Sequence, residues 1–207
     1  MKAVFRPYQP RDIERCAELA KDAWPVLSII GKDSIHSVMK AYIKMNLLLS
    51  DYKEVCYYNK EVIGFIFGSI NQEKNFSLQR YIKANKLFWG FLTGKYGKIE
   101  KKYRFLVSVI LTVFKVELLC RKFDSEINLI VIDKEYRGLG IGTKLITRFL
   151  EKAKQKGSKS IYLYTDIESN WKFYEIYGFK RYREFYDYEL SFLKDKNICS
   201  YIYVYNI

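Results

Sequence analysis

Arg137-Gly138-Leu139-Gly140-Ile141-Gly142 is the stretch of this chain whose residue types and spacing can do chemistry. An apolar run, Ile127–Ile132, and a polar turn, Asp133–Tyr136, lead into it. A helical pattern follows, with Leu145, Ile146, Phe149, Leu150 and Ala153 spaced to share one face. The first-turn amides of a helix have no partners within it and sit at the positive end of its dipole. Glycines let such amides fan toward an anion without Cβ interference, and Arg137 adds a charged donor at the rim. Phosphate is the ligand that suits this junction. Two better-known phosphate loops fit poorly. A Walker loop needs Gly-Lys-Ser/Thr after four spacers, and Gly142-Thr143-Lys144 holds those types in another order. A dinucleotide fingerprint needs G-x-G-x-x-G, whereas these glycines fall at 138, 140 and 142.

The stretch resembles motif A of the GNAT-type N-acetyltransferases, Arg/Gln-x-x-Gly-x-Gly/Ala, with Arg137, Gly140 and Gly142 at the fixed positions. Downstream, Phe173-Tyr174-Glu175-Ile176-Tyr177-Gly178-Phe179 is similar to the family's Phe-Tyr-Glu-x-x-Gly-Phe element. Upstream, Phe5-Arg6-Pro7 and Asp12 resemble its first strand and first helix start. The three matches come in the family's order and together cover most of the chain outside residues 71–124.

The resemblance implies an enzyme that moves an acetyl group from acetyl-CoA to an amine by direct attack in a ternary complex. It places the diphosphate of CoA on the amides of Gly138, Leu139, Gly140, Ile141, Gly142 and Thr143, with Arg137 alongside. Main-chain groups of Ile130, Val131 and Ile132 would take the pantetheine arm, at a gap where the glycine-loop strand and the next one splay apart. One of those amides would stabilise the thioester oxyanion. Phe173 belongs to the same cofactor-binding set. Tyr174 is the expected proton donor to the leaving thiolate. Glu126 precedes Ile132 by six, where histone-acetylating members carry a glutamate base, so it is the candidate general base. Glu54, Asp133 or an insertion residue remain alternatives. Many members bind pantetheine with an asparagine seven residues before the tyrosine. Here that position is Ile167, and Asn170, four before, is either its replacement or a helix-start residue. The other reading of the chain is a non-catalytic module of the same shape that holds CoA or a partner.

Composition bounds the rest. The 207 residues are 49% hydrophobic, enough to bury a core and too many for disorder. Cys16, Cys56, Cys120 and Cys199 are isolated, without metal spacing, and suit reduced thiols in a cytoplasmic protein. No metal site is expected. His36 is the one histidine, so histidine-based nucleophilic catalysis would have to use it. Met1–Pro10 is polar and charged, unlike a secretory leader. Of the net charge of +13, residues 74–122 carry twelve Lys/Arg against Glu100 and Glu117. No nucleic-acid motif accompanies that charge, so the expected partner is an amine-bearing acceptor, a small molecule or a protein.

The elements that must position these residues follow from periodicity. Val4–Pro7 reads as a strand, Pro10 to about Asp22 and Ser34–Leu49 as helices, with a break at Trp24-Pro25. Glu54–Tyr58 and Val62–Ile70 read as a hairpin around Asn59-Lys60, with Gly64 and Gly68 marking a bulge or close backbone approach. Tyr81–Leu92 and Tyr103–Leu119 read as a helical hairpin inserted at 71–124, beside the acceptor entrance. Its run Phe105–Phe114 is too short to span a bilayer and should face the body or a second subunit. A homodimer contact, a membrane-surface contact and an acceptor-site wall remain open for it. A strand at 160–165, a helix at about 168–177, and strands Lys180–Leu190 and Ile198–Tyr205 complete the chain. The expected architecture is one α/β domain over 1–207, a mixed sheet of about seven strands flanked by helices.

Overall fold

The computed structural model describes residues 2–23, 34–71, 86, 87, 89–96 and 101–207. Seven strands form one sheet: β1 Val4–Pro7, β2 Tyr52–Tyr58, β3 Glu61–Ser69, β4 Ser125–Ile132, β5 Ser160–Asp166, β6 Lys180–Tyr186 and β7 Cys199–Asn206, in the order β1-β2-β3-β4-β5-β7-β6. Every neighbouring pair is antiparallel except β4–β5. The β2–β3 hairpin turns through Asn59 and Lys60, both at positive φ, which gives the twist a two-residue hairpin requires.

Helices α1 (Ile13–Ala23) and α2 (Ile35–Leu49) cover one face of β1–β4. Their Cys16, Ala17, Leu19, Ala20, Val38, Met39 and Ile43 pack with Val55, Phe65, Phe67, Leu129 and Val131. Helix α4 (Ile141–Gln155) lies on the opposite face and buries Ile141, Leu145, Ile146, Phe149, Leu150 and Ala153. A bulge at Asn128 makes the two-faced packing possible. Phe67 pairs with Leu129 but Gly68 with Ile127, so Asn128 is the extra residue. Ile127 therefore faces α4, while Leu129 and Val131 face α1 and α2. Gly68 lies beside the bulge because a Cβ there would stand 2.5 Å from the Phe149 ring.

Helix α5 (Trp171–Tyr177) joins the α4 face, and its Gly178 cap has φ 114°. Helix α3 (Lys102–Cys120) crosses the other face, where Val116 and Cys120 meet Tyr162, Phe185, Ile202 and Val204. Strand β7 is covered on both sides as its alternation predicts, with Tyr203 against the α4 cluster and Ile202 and Val204 against α3.

One expectation needs correction. The strand expected over Lys180–Leu190 stops at Tyr186, and α6 (Tyr188–Lys194) follows. Asp187 is the cause: its side chain accepts from the Leu190 amide at 2.9 Å and starts a helix. The run Phe105–Phe114 turns only part of its surface to the body. Val107, Ile110, Leu111, Val113 and Phe114 are exposed, while Ser108 and Thr112 are buried. Of the expected partner helix, residues 86, 87 and 89–92 are helical and the rest lies outside the described residues, as does Trp24-Pro25.

Candidate functional site

Strands β4 and β5 pair only at Ser125–Ile161 and Glu126–Tyr162. Beyond that, β4 residues 127–132 have no strand neighbour on the β5 side, although β4 runs to Ile132 and β5 to Asp166. The sheet thus opens into a gap that widens toward Ile132. Ile130, Val131 and Ile132 form one wall of it.

The glycine stretch stands at the mouth. Asp133 starts the turn, its carboxylate accepting from the Glu135 amide at 3.1 Å and from Arg15 at 2.7 Å. Arg137 is exposed, and its Nε donates to the Ile132 carbonyl at 3.2 Å, which fixes the stem of its guanidinium at the strand end. Gly138 and Leu139 are exposed. Gly140 is the N-cap of α4 at φ 75°, a left-handed conformation that favours glycine, and a Cβ there would meet nothing within 4 Å. The amides of Ile141, Gly142 and Thr143 are the orphan donors of that helix. Open space, unpaired donors and one arginine fit a diphosphate.

On the α4 side of the gap, Phe173 lies against the first turn of that helix, its Cζ 3.2 Å from where a Gly142 Cβ would be. Tyr174 packs among Phe173, Phe179 and Tyr203, with ring centroids 5.4, 6.1 and 6.2 Å away. Burial pushes its hydroxyl pKa up, and Asp166 adds to the shift, so the group stays protonated at neutral pH. Asp166 accepts from the amides of Glu168 and Ser169, both at 2.8 Å, and so shapes the turn into α5. Asn170 occupies the N-cap position of α5 but makes no side-chain cap bond, and it is exposed. Ile167 is exposed as well.

Glu126 lies on the opposite face from Ile127, half-buried, in register with Tyr162 and near Cys120 and Tyr164. Glu126 therefore sits at the last paired position, at the closed end of the gap, on the opposite face of the sheet from Tyr174. The alternative bases are engaged elsewhere. Glu54 is buried and takes a two-pronged contact from Arg148 of α4, at 2.9 and 2.7 Å, plus the Tyr52 hydroxyl at 2.7 Å. Asp133 is held by Arg15 and the turn amide. His36 pairs with Glu14 at 3.0 Å on the exposed side of α1 and α2. Among the described residues no cluster of His, Cys, Asp or Glu could hold a metal ion, and no helix is long and apolar enough to cross a membrane.

The sequence did not point to the residues facing Glu126. Tyr164 of β5 shares a face with Tyr162, and its pKa is raised well above the usual value, first by desolvation, then by Tyr42, Glu189, Glu126 and Asp187. Tyr42 of α2 is raised in the same way, first by desolvation and then by Glu189. Both rings keep about a third of their surface open, 36% for Tyr42 and 38% for Tyr164, while their hydroxyls are desolvated. Asp187, three residues before Leu190, was the one sequence signal that could have revealed α6 and hence Glu189.

The family model described as Acetyltransferase (GNAT) family matches residues 15–179. N-alpha-acetyltransferase 30 of Schizosaccharomyces pombe is 43% identical over 67 residues, which are 31% of this chain and 45% of that protein. The chain spans less than half the length of the curated relatives it matches. Among solved structures, a polyamine N-acetyltransferase of Drosophila melanogaster that forms N-acetylagmatine superposes with a TM-score of 0.64 at 11% identity, covering 100% of both chains. The PaiA N-acetyltransferase of Thermoplasma acidophilum, solved with coenzyme A, gives 0.56 at 15% identity, again covering 100% of both. Likeness at these identities shows the fold. With the family model spanning four-fifths of the sequence and the parted strands beside a glycine cradle, the chain belongs to the GNAT acetyltransferase family.

Proposed function

We propose that this protein transfers an acetyl group from acetyl-CoA to the amine of an acceptor by direct attack in a ternary complex. The observation that carries the reading is the parting of β4 from β5 beside the open cradle at 138–143. The amides of 141–143 and Arg137 hold the diphosphate, and the main-chain groups of Ile130–Ile132 take the pantetheine arm. Phe173 and Asn170 border that arm from the α5 side. Tyr174, kept protonated by burial, gives the thiolate its proton. Glu126, across the sheet, receives a proton from the attacking nitrogen. The S. pombe relative's name supports a peptide α-amine as the acceptor.

The test is thiol release with acetyl-CoA and a short peptide bearing a free α-amino group, alongside calorimetric CoA binding. Gly140→Asp sets a side chain and a negative charge in the cradle, so CoA affinity should fall by more than about tenfold in a folded protein. Unchanged affinity would refute the cradle assignment. Tyr174→Phe should lower kcat by roughly 10²-fold with CoA binding intact. Wild-type CoA binding without thiol release from any amine would favour the binding-module reading.

A further inference from the structure

We propose that Arg15 of α1 is a positioning residue for the coenzyme: through Asp133 it holds the turn that sets the diphosphate cradle. This deepens the acetyltransfer reading above and rests on it. Arg15 lies in the first turn of α1 and spreads its guanidinium over three elements. Nη2 donates to the Asp133 carboxylate at 2.7 Å, Nε to the Val62 carbonyl of β3 at 3.3 Å, and Nη1 to Glu18 of α1 at 3.1 Å. Glu61 stands farther off, at 3.9 Å. The Asp133 side chain is 11% exposed and that of Arg15 31%, so water and salt screen the pair only in part.

Val62 and Asp133 lie at adjoining ends of two antiparallel strands, where Gly64 pairs with Ile132 and the Asp133 amide donates to the Ile63 carbonyl at 2.9 Å. The guanidinium therefore ties α1 to the spot where β4 stops and the polar turn begins. One carboxylate oxygen of Asp133 takes Arg15 and the other takes the Glu135 amide at 3.1 Å. Its carbonyl accepts from the Tyr136 amide at 3.0 Å. A single residue thus faces both the anchor and the turn. Arg137 follows directly, its Nε on the Ile132 carbonyl at 3.2 Å. Beyond it the chain has little stiffness of its own. Gly138 and Gly140 sit at φ 78° and 75°, and a Cβ at either would meet nothing within 4 Å. Glycines that let amides fan toward an anion give those amides no fixed aim, so the aim comes from the two ends of the stretch. One end is α4, buried along its stripe, and the other is the Asp133 turn that Arg15 holds. An anion that finds its donors already placed loses less of its binding free energy to ordering them. The planar fork of arginine reaches the carboxylate and the carbonyl together, which a lysine ammonium on a flexible stem does not.

The test uses the full chain and two probes. CoA is titrated directly by calorimetry; pantetheine, which keeps the thiol arm and lacks the diphosphate and nucleotide, is measured by its displacement of CoA. Arg15→Gln should weaken CoA about tenfold and leave pantetheine affinity within about twofold. Arg15→Lys should recover part of the CoA affinity. Asp133→Asn keeps an oxygen for the Glu135 amide and should weaken CoA by about threefold or more, again sparing pantetheine. The double variant should bind CoA no more weakly than Arg15→Gln alone, since both changes remove one link. A folded Arg15→Gln protein with wild-type CoA affinity overturns the proposal. Equal loss for CoA and pantetheine does so too, since it marks general support of the fold, and so does additivity in the double variant. If Arg15→Gln does not fold, the same two probes on Asp133→Asn decide in the same way. Wild type that binds CoA no more tightly than pantetheine would instead remove the cradle and the acetyltransfer reading with it, so the two failures are distinguishable.

Discussion

Helices α4 and α3 lie on opposite faces of one sheet, and their burial runs against their composition. Helix α4 is lysine-rich, yet its apolar residues fall on a single stripe and nearly all of that stripe is buried. Helix α3 is apolar on almost every side, yet it buries Ser108, Thr112, Val116 and Cys120 and leaves Tyr103, Val107, Ile110, Leu111, Phe114 and Leu118 in the open. A stripe determines orientation because only one rotation buries it. A helix apolar all round has several rotations of similar hydrophobic gain, and the polar contacts then choose among them. Here Thr112 chooses, since its hydroxyl joins Asp187 and the Glu189 amide. That same contact docks the N-terminus of α6 on α3.

The comparison can be broken at three points. Phe149, fully buried between β2, β3 and α4, has the most to lose: Phe149→Ala should cost about 3–5 kcal/mol in denaturant unfolding. Thr112→Val makes α3 more apolar and should still destabilise by about 1–2 kcal/mol, because it leaves buried Asp187 and a backbone amide each short of a partner. A neutral or stabilising result would show that hydroxyls do not set the rotation of α3. Phe114→Ser removes as large an aromatic ring as the Phe149 substitution but from a residue 66% exposed, so its effect should stay within about 0.5 kcal/mol. A cost approaching that of Phe149→Ala would mean the exposed face of α3 is covered in solution, by a second copy or a membrane surface.

Much of the frame was legible. The strand–glycine–helix junction gave its own boundaries, and Asn59-Lys60 marked the hairpin turn, because these depend on backbone conformations and periodicities that neighbours in sequence impose. Gly68 hinted at a close approach, and the Phe149 ring is what approaches. The end of β6 was missed because Tyr182, Tyr186 and Tyr188 continue an alternating pattern past Asp187, and the cap was weaker to the eye than the alternation. The sequence named no inward face for α3, because with apolar residues on all sides its periodicity singles out none.

For the site itself, the sequence alone determined the cradle, since an orphaned helix N-terminus after spaced glycines needs only local geometry. It also placed Tyr174 on the helix after β5, one turn on from Asn170. Tertiary structure decided the rest. Glu54 and Asp133, open alternatives in the sequence, are tied to Arg148 of α4 and Arg15 of α1, the first pair across 94 positions. A carboxylate's role depends on what neutralises it, and that partner is chosen by how helices pack on a sheet rather than by the residues beside it in the chain.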